Sequence, residues 1–91
     1  MSARVDALRA QLIEEGFTRV FVHSDQPDKV YDAHTHPTDH VQIVLEGWIE
    51  ISAEDGTVRR YGPGERCDVP AGASHAAVAG PEGCTYLIGE R

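Results

Sequence analysis

The chain has 91 residues, of which 41% are hydrophobic, and it carries a formal charge of −7 at pH 7. A chain of this length forms one compact domain with a thin core, so a bound metal or a partner subunit would add stability. The acidic charge, with no run of Lys or Arg, disfavours a nucleic acid as partner. The longest apolar run is too short to span a bilayer, and the polar N-terminus lacks the apolar stretch of a signal peptide. We therefore expect a cytoplasmic protein that binds neither nucleic acid nor membrane.

The N-terminal segment is predicted to form a short amphipathic helix over residues 3–15. Ser2 can cap its first turn, and Gly16 suits the left-handed conformation that ends many helices. Residues spaced three and four apart supply the apolar stripe of this helix, namely Val5, Leu8 and Leu12.

After Gly16 the hydrophobic period changes to two, which is typical of strands. Clusters of Gly, Pro, Asp and Ser separate about eight β-prone runs, and Asp55-Gly56 is the clearest hairpin signal. The runs are 17–23, 30–36, 40–46, 48–53, 57–61, 65–69, 75–79 and 84–89. This count predicts an all-β fold, a small jelly-roll β-barrel. We expect one domain over residues 1–91, with the helix in 1–16 and the barrel in 17–91.

Three histidines lie close together in the sequence, at positions 34, 36 and 40. Because side chains alternate along a strand, His34 and His36 point to the same side if residues 30–36 are extended. His40 follows Pro37 and a turn, and it can begin the next strand facing the same interior. Imidazole is the commonest protein ligand for first-row transition metals, and three imidazoles are costly to bury without something to bind. The cluster therefore predicts a divalent transition metal.

Two spaced motifs resemble those of the cupin superfamily. The first cupin motif, G-x5-H-x-H-x3-4-E-x6-G, corresponds here to His34-x-His36-x3-His40-x6-Gly47, with Asp28 in place of the first Gly and His40 in place of the Glu. The second, G-x5-P-x-G-x2-H-x3-N, corresponds to Gly64-x5-Pro70-x-Gly72-x2-His75-x3-Ala79, and only its final Asn is lost. The chain is therefore similar to small single-domain bacterial cupins that have an all-histidine metal site.

The resemblance implies that one divalent metal binds to four residues, His34, His36, His40 and His75. Ligands of this type accept Mn, Fe, Co, Ni, Cu or Zn. Four neutral imidazoles leave the full charge of the ion in the site, whereas a Glu ligand would reduce it by one. Such a metal favours a small anionic or chelating organic ligand. The resemblance also implies an oxidoreductase of dioxygenase type, as in some members of this subgroup.

Two further residues are expected to point into the barrel. Gln42 shares the parity of His40, so it either lines the pocket or hydrogen-bonds one of the ligand histidines. Cys67 also points inward by alternation. A small buried filler is the favoured interpretation of Cys67, and a pocket nucleophile or metal ligand is the alternative. Because no CxxC pair is present, Cys67 and Cys84 are expected to be free thiols.

The sequence gives weaker signals at two other positions. His23 precedes a turn-prone segment and is expected to lie on the surface, in solvent. Tyr86 shares one face of the last strand with Cys84, and the sequence leaves open which face that is.

The outer face of the predicted barrel suggests an oligomer. Val41, Ile43 and Leu45 have the opposite parity to His40, so we expect them to face outward. Together with the apolar stripe of the helix, they form more apolar surface than one thin core can cover. This surface predicts a homodimer.

The sequence leaves three functions open. The first is a metal-dependent oxidoreductase that activates a small organic substrate towards dioxygen. The second is a non-catalytic module that binds or senses a metal or a small ligand. The third is a non-redox Lewis-acid enzyme such as an isomerase or hydrolase. A carboxylate or a Tyr near the metal would favour the third function, and the two motifs supply neither.

Overall fold

The computed structural model describes residues 2–91, and Met1 lies outside the described part. One helix and six strands make up this part, and all strand pairs are antiparallel. The elements are α1 (Ala3–Glu14), β1 (Arg19–Asp25), β2 (Val30–His34), β3 (His40–Ala53), β4 (Val58–Tyr61), β5 (Arg66–Val69) and β6 (His75–Glu90). The predicted all-β fold with one N-terminal helix is confirmed. Among residues 2–91 no helix is long and apolar enough to cross a membrane.

A long ladder between β3 and β6 organises the sheet. The two strands pair from His40 opposite Glu90 to Ala53 opposite His75. Strands β4 and β5 pair with β3, whereas β1 and β2 pair with β6. A straight strand with the 14 residues of β3 would span about 43 Å, at about 3.3 Å per residue. The ladder instead curls back on itself, because the ring of His40 at one end lies 6.3 Å from the ring of His75 at the other.

The ladder bends near its middle, at two shifts in its pairing register. One shift lies between Val44 and Glu46, and the other lies between Gly47 and Ile49. Gly47 has φ +74°, and a Cβ atom at this position would lie 2.2 Å from the carbonyl oxygen of Gly83. Glycine accommodates both the left-handed backbone and this close approach. Gly47 therefore allows β3 to bend while its pairing with β6 continues.

The eight predicted runs form six strands, because two of the expected turns do not occur. Runs 40–46 and 48–53 are both part of β3, and runs 75–79 and 84–89 are both part of β6. The segment 80–83 has the composition of a turn, but it lies inside β6, where it has no pairing partner in β3 and Gly83 has φ +80°. Its local turn preference therefore produces an unpaired insertion within the strand and does not end the strand. The predicted hairpin at Asp55-Gly56 is confirmed, since it joins β3 to β4.

Asp28 preserves the backbone conformation expected of the Gly that it replaces in the first motif. Its φ is +60°, and it is the one non-glycine residue with a positive φ among residues 2–91. Asp adopts this left-handed region more readily than most residues with a Cβ atom. The Asp28 N–H donates to the carbonyl of Gly80 at 3.0 Å, which ties the β1–β2 turn to β6.

Helix α1 covers the outer face of the sheet. The side-chain oxygen of Ser2 accepts a hydrogen bond from the N–H of Val5 at 3.1 Å, and Gly16 follows the helix with φ +98°, so both predicted ends are confirmed. Leu12 is fully buried in an apolar cluster with four other residues, Phe17, Val41, Ile43 and Leu87.

This docking changes the argument for a dimer. Val41 and Ile43 do lie on the face away from the histidines, but the chain's own helix and Phe17 cover them. Both side chains are at most 3% exposed. The homodimer stays a prediction, with less uncovered apolar surface to support it than the sequence suggested.

We predict that Leu12→Ala lowers the free energy of unfolding by about 2–5 kcal/mol, because it leaves a cavity between the helix and the sheet. The neighbouring Ile13 is 57% exposed. The matched variant Ile13→Ala should therefore change stability by less than about 1 kcal/mol. Urea unfolding followed by circular dichroism measures both changes. Equal losses in the two variants would show that α1 does not dock through Leu12.

Candidate metal centre

The four predicted ligand histidines meet where the two ends of the β3–β6 ladder come together. His34 ends β2 and pairs with His75 at the start of β6, while His40 begins β3. His36 lies just beyond β2, two residues past the end of that strand, and its carbonyl accepts a hydrogen bond from the N–H of Gly72 at 2.9 Å. The ring centroid of His34 lies 4.9 Å from that of His36 and 4.5 Å from that of His75.

Three of these histidines form a compact group. His34, His36 and His75 each offer a ring nitrogen, and the three nitrogens lie within 4.8 Å of one another. His40 is stacked on His36 with 4.5 Å between ring centroids and an angle of 8° between planes, and it lies outside the group of three. The structure thus brings all four rings together. Binding of one ion by all four stays a prediction.

Hydrogen bonding prepares some of these rings for a cation. Nδ1 of His34 lies 2.7 Å from the carbonyl of Asp32, which can only accept, so this nitrogen carries the proton and Nε2 carries the lone pair. Nδ1 of His40 and Nδ1 of His75 are buried without a hydrogen-bond partner among the described residues. Burial without a partner costs free energy, and a cation held by the rings would offset that cost. The residues therefore fit a divalent transition metal.

The histidines line a cavity of about 260 Å³. Its lining combines apolar side chains with groups that can donate or accept protons. The remaining lining residues are Phe21, His23, Tyr31, Gln42, Ile49, Ala77, Tyr86, Ile88 and Glu90.

Solved structures with the same fold identify the family. The chain has a TM-score of 0.73 and 28% identity to the DMSP lyase DddQ from Ruegeria pomeroyi DSS-3, over 79% of this chain and 36% of the lyase. It has a TM-score of 0.65 and 28% identity to a cupin-2 domain protein from Shewanella frigidimarina NCIMB 400, over 76% of this chain and 65% of that one. An RmlC-like cupin from the same organism has a TM-score of 0.69 and 22% identity, over 78% of this chain and 62% of that one.

The chain is a cupin. It spans little more than a third of the length of the DMSP lyase and just under two thirds of the cupin-2 protein. No protein-family model and no curated protein matches the sequence. The family therefore rests on the fold, the two motifs and the histidine group.

Burial lowers the pKa of three histidines of this cupin, His36, His40 and His75, when no metal is bound. Desolvation, and then the neighbouring histidines, lower the pKa of His40 to about 4 and that of His75 to about 4. The same two causes, desolvation and the charge of His34, lower the pKa of His36. Neutral imidazole is the form that binds a metal, so these shifts favour binding at neutral pH.

The two other predicted site residues lie in different places. Gln42 is 8% exposed, lines the histidine cavity, and has its side-chain nitrogen 3.1 Å from Nε2 of His40, a geometry compatible with either of its two predicted roles. Cys67 is 7% exposed in the apolar core and lines a second cavity of about 430 Å³ that also touches His75. Burial raises the pKa of its thiol. The thiol is therefore protonated at neutral pH, which favours the buried filler. Both cysteines are free, as predicted.

A second polar cluster, which we call the Asp25 cluster, was not predicted, and three of its four members line the same cavity. It consists of His23, Asp25, Tyr31 and Tyr86. The carboxylate of Asp25 is 2% exposed and accepts hydrogen bonds from the hydroxyl of Tyr31, from the hydroxyl of Tyr86 at 2.7 Å, and from Nε2 of His23 at 2.9 Å. His23 is 42% exposed, as expected of a surface residue, but the prediction missed that its ring also contacts this carboxylate and lines the cavity.

The sequence signals for the Asp25 cluster were either misleading or incomplete. By alternation Tyr31 faces away from His34, but an irregularity between the two residues places both at the cavity. His23 and Tyr86 are cross-strand partners, which requires the register of β1 with β6. The one available signal was the shared parity of His23 and Asp25 in an extended run.

We predict that the metal-free protein loses stability as pH falls from about 6.5 towards 4. An unfolded histidine titrates near pH ~6.5, whereas His40 and His75 in the fold titrate near 4, so the unfolded chain binds more protons in this window. The stability that these neutral histidines contribute is fully present above the unfolded pKa of about 6.5. It is lost progressively as the pH falls through the folded pKa of about 4. Each histidine contributes at most about 1.4 kcal/mol per pH unit.

Urea midpoints in EDTA at several pH values measure this loss. His75→Gln removes one of the two groups and should flatten the slope, while the exposed-site variant Ile13→Ala should leave it unchanged. An unchanged slope in His75→Gln would contradict the prediction.

Proposed function

We propose that this cupin is an enzyme that holds one divalent transition metal and acts on a small chelating, anionic organic substrate. His34, His36 and His75 would hold the ion, with His40 as a fourth ligand. The observation that supports this proposal most is the shared cavity, which is lined both by the four histidines and by His23, Tyr31 and Tyr86 of the Asp25 cluster.

The charge of the site supports an anionic substrate. Four neutral imidazoles bring no negative charge to the ion, so its full charge acts on whatever completes its coordination. In a six-coordinate ion, four histidine ligands would leave two positions open. A bidentate carboxylate or hydroxy acid would therefore match both the charge of the ion and these two positions. The apolar lining from Phe21, Ile49 and Ile88 would pack against the carbon skeleton.

The Asp25 cluster favours a non-redox reaction that moves a proton. It supplies two tyrosines at the cavity, and a tyrosine near the metal is one of the features that would distinguish Lewis-acid catalysis from the other functions left open by the sequence. Similarity to a structure named as a lyase supports the same class. The oxidoreductase of dioxygenase type and the non-catalytic binding module stay alternatives, and neither requires acid or base groups in the cavity.

Metal analysis tests the ligand set. We predict that His36→Ala loses most of its bound metal and unfolds at a lower temperature, since ligand bound to the folded state stabilises it by RT ln(1 + [L]/Kd). His23→Ala is the matched control, because it removes another cavity histidine and should keep stoichiometric metal. Elemental analysis of protein purified without chelator or nickel resin provides the measurement. A His34/His36 double variant that retained one ion per chain would exclude the site.

The same preparations separate the reaction classes. Oxygen uptake that depends on an added organic acid would favour the oxidoreductase. A redox-inactive ion in every active preparation would favour the Lewis-acid enzyme.

We also propose that the cupin is a homodimer in the cytoplasm. Four apolar side chains on α1, β1, β2 and β4 remain 39–62% exposed, namely Ile13, Val22, Val30 and Val58. Light scattering at micromolar concentration should therefore report twice the mass of one chain. A monomer would refute the proposal.

A further inference from the structure

The Asp25 cluster leaves one nitrogen for a ligand. Both oxygens of Asp25 are engaged: one accepts from Tyr31 and His23, and the other accepts from Tyr86. The carboxylate is also 2% exposed, so it cannot itself reach a molecule in the cavity. Asp25 thus acts as a fixed acceptor that orients the three side chains around it.

Asp25 also fixes the tautomer of His23. An ionised carboxylate can only accept, so the 2.9 Å contact places the proton of His23 on Nε2. The lone pair of the neutral ring is then on Nδ1. Asp25 also stabilises the ring if Nδ1 gains a proton, as a carboxylate does when it supports a histidine base. His23 lines the cavity and is half exposed there.

The other groups around the cavity are poorer proton acceptors. Burial and the hydrogen bond to Asp25 raise the pKa of Tyr31 and of Tyr86, so both hydroxyls stay neutral donors. Glu90 is paired with Arg19 at 3.8 Å and accepts from the hydroxyl of Thr38 at 3.4 Å. Tyr31 links the two parts of the cavity, since its hydroxyl lies 3.3 Å from Nε2 of His23 and its ring centroid lies 6.2 Å from that of His34.

We propose that Nδ1 of His23 accepts a proton from the molecule bound in the cavity, and that this molecule is a weakly acidic chelator with a hydroxyl group, such as an α-hydroxy acid or the enol form of a keto acid. The O–H bond of the ligand breaks, its electron pair stays on the oxygen, and the proton moves to Nδ1. The oxygen becomes an anionic donor, and the resulting imidazolium is stabilised by Asp25. This inference rests on the proposed function, because it takes a chelated ligand as the proton source.

Proton counting during binding tests the proposal. The probe is acetohydroxamic acid, a weakly acidic chelator, titrated calorimetrically into the zinc-loaded full chain in buffers of different ionisation enthalpy at one pH. In the native protein the proton of the probe stays on His23. His23→Gln keeps an amide donor for Asp25 but has no base, so this variant should release about one more proton to the buffer per bound probe. Zinc affinity should be equal in both proteins.

The possible negative outcomes distinguish a failure of the role of His23 from a failure of the proposed function. Equal proton release in the native protein and in His23→Gln, with the probe bound to both, overturns the role of His23 and leaves the proposed function standing. Zinc binding without any probe binding overturns both, because no chelator then enters the site. Loss of zinc in His23→Gln would make this residue a metal ligand and also overturn the proposal.

A second measurement separates the proton acceptor from a purely structural hydrogen bond. Nitrogen-15 NMR of the native metal-free chain should show His23 as the Nε2–H tautomer, and Asp25→Asn should shift it towards the other tautomer. Tyr86→Phe removes one donor to Asp25 while keeping the ring, and it should leave the tautomer unchanged. A native Nδ1–H tautomer would overturn the proposal, because Nδ1 would then have no lone pair to offer.

Discussion

The curling of the β3–β6 ladder is the constraint on which the rest of the structure depends. His40 and His75 are at opposite ends of a ladder that would measure about 43 Å if straight, yet their rings lie 6.3 Å apart. Every other part of the histidine group is local to one of these ends. The site therefore exists only when the ladder closes, and closure depends on the bend at Gly47. A side chain at position 47 would collide with the backbone of Gly83 and disturb the bend, so it would also displace the histidines at the two ends of the ladder.

Closure also explains why the histidines make a binding site instead of a core. The ladder brings the imidazoles together, and Nδ1 of His40 and Nδ1 of His75 have no hydrogen-bond partner among the described residues. Burial and the neighbouring histidines also lower the pKa of both rings. This arrangement costs free energy in the metal-free protein. A thin core supplies little surplus to offset it. Metal binding and folding are thus coupled in this small cupin, since the ion would compensate the group of residues that closure makes unfavourable.

The sequence predicted the histidine positions because motif spacing encodes strand ends and turns. His34, His40 and His75 begin or end strands, and Asp28 holds the left-handed conformation of the Gly that it replaces. Local rules failed where long-range pairing decides. The segment 80–83 has turn composition but lies inside β6 as an unpaired insertion between two paired stretches, and an irregularity in β2 brings Tyr31 to the cavity beside His34 despite their odd spacing. The Asp25 cluster could not be predicted without the register of β1 with β6.

The two groups in the cavity depend on different parts of the chain. The histidines lie at the ends of β2, β3 and β6, whereas His23 and Asp25 lie on β1, which contributes no predicted ligand. Strand β1 pairs only with the second half of β6, beyond the bend. Substitutions on β1 can therefore change the Asp25 cluster while the ladder that carries the histidines stays closed. This separation gives a physical reason why one barrel and one histidine set could support different reactions, since the ladder positions the histidines and a neighbouring strand positions the other polar groups of the cavity.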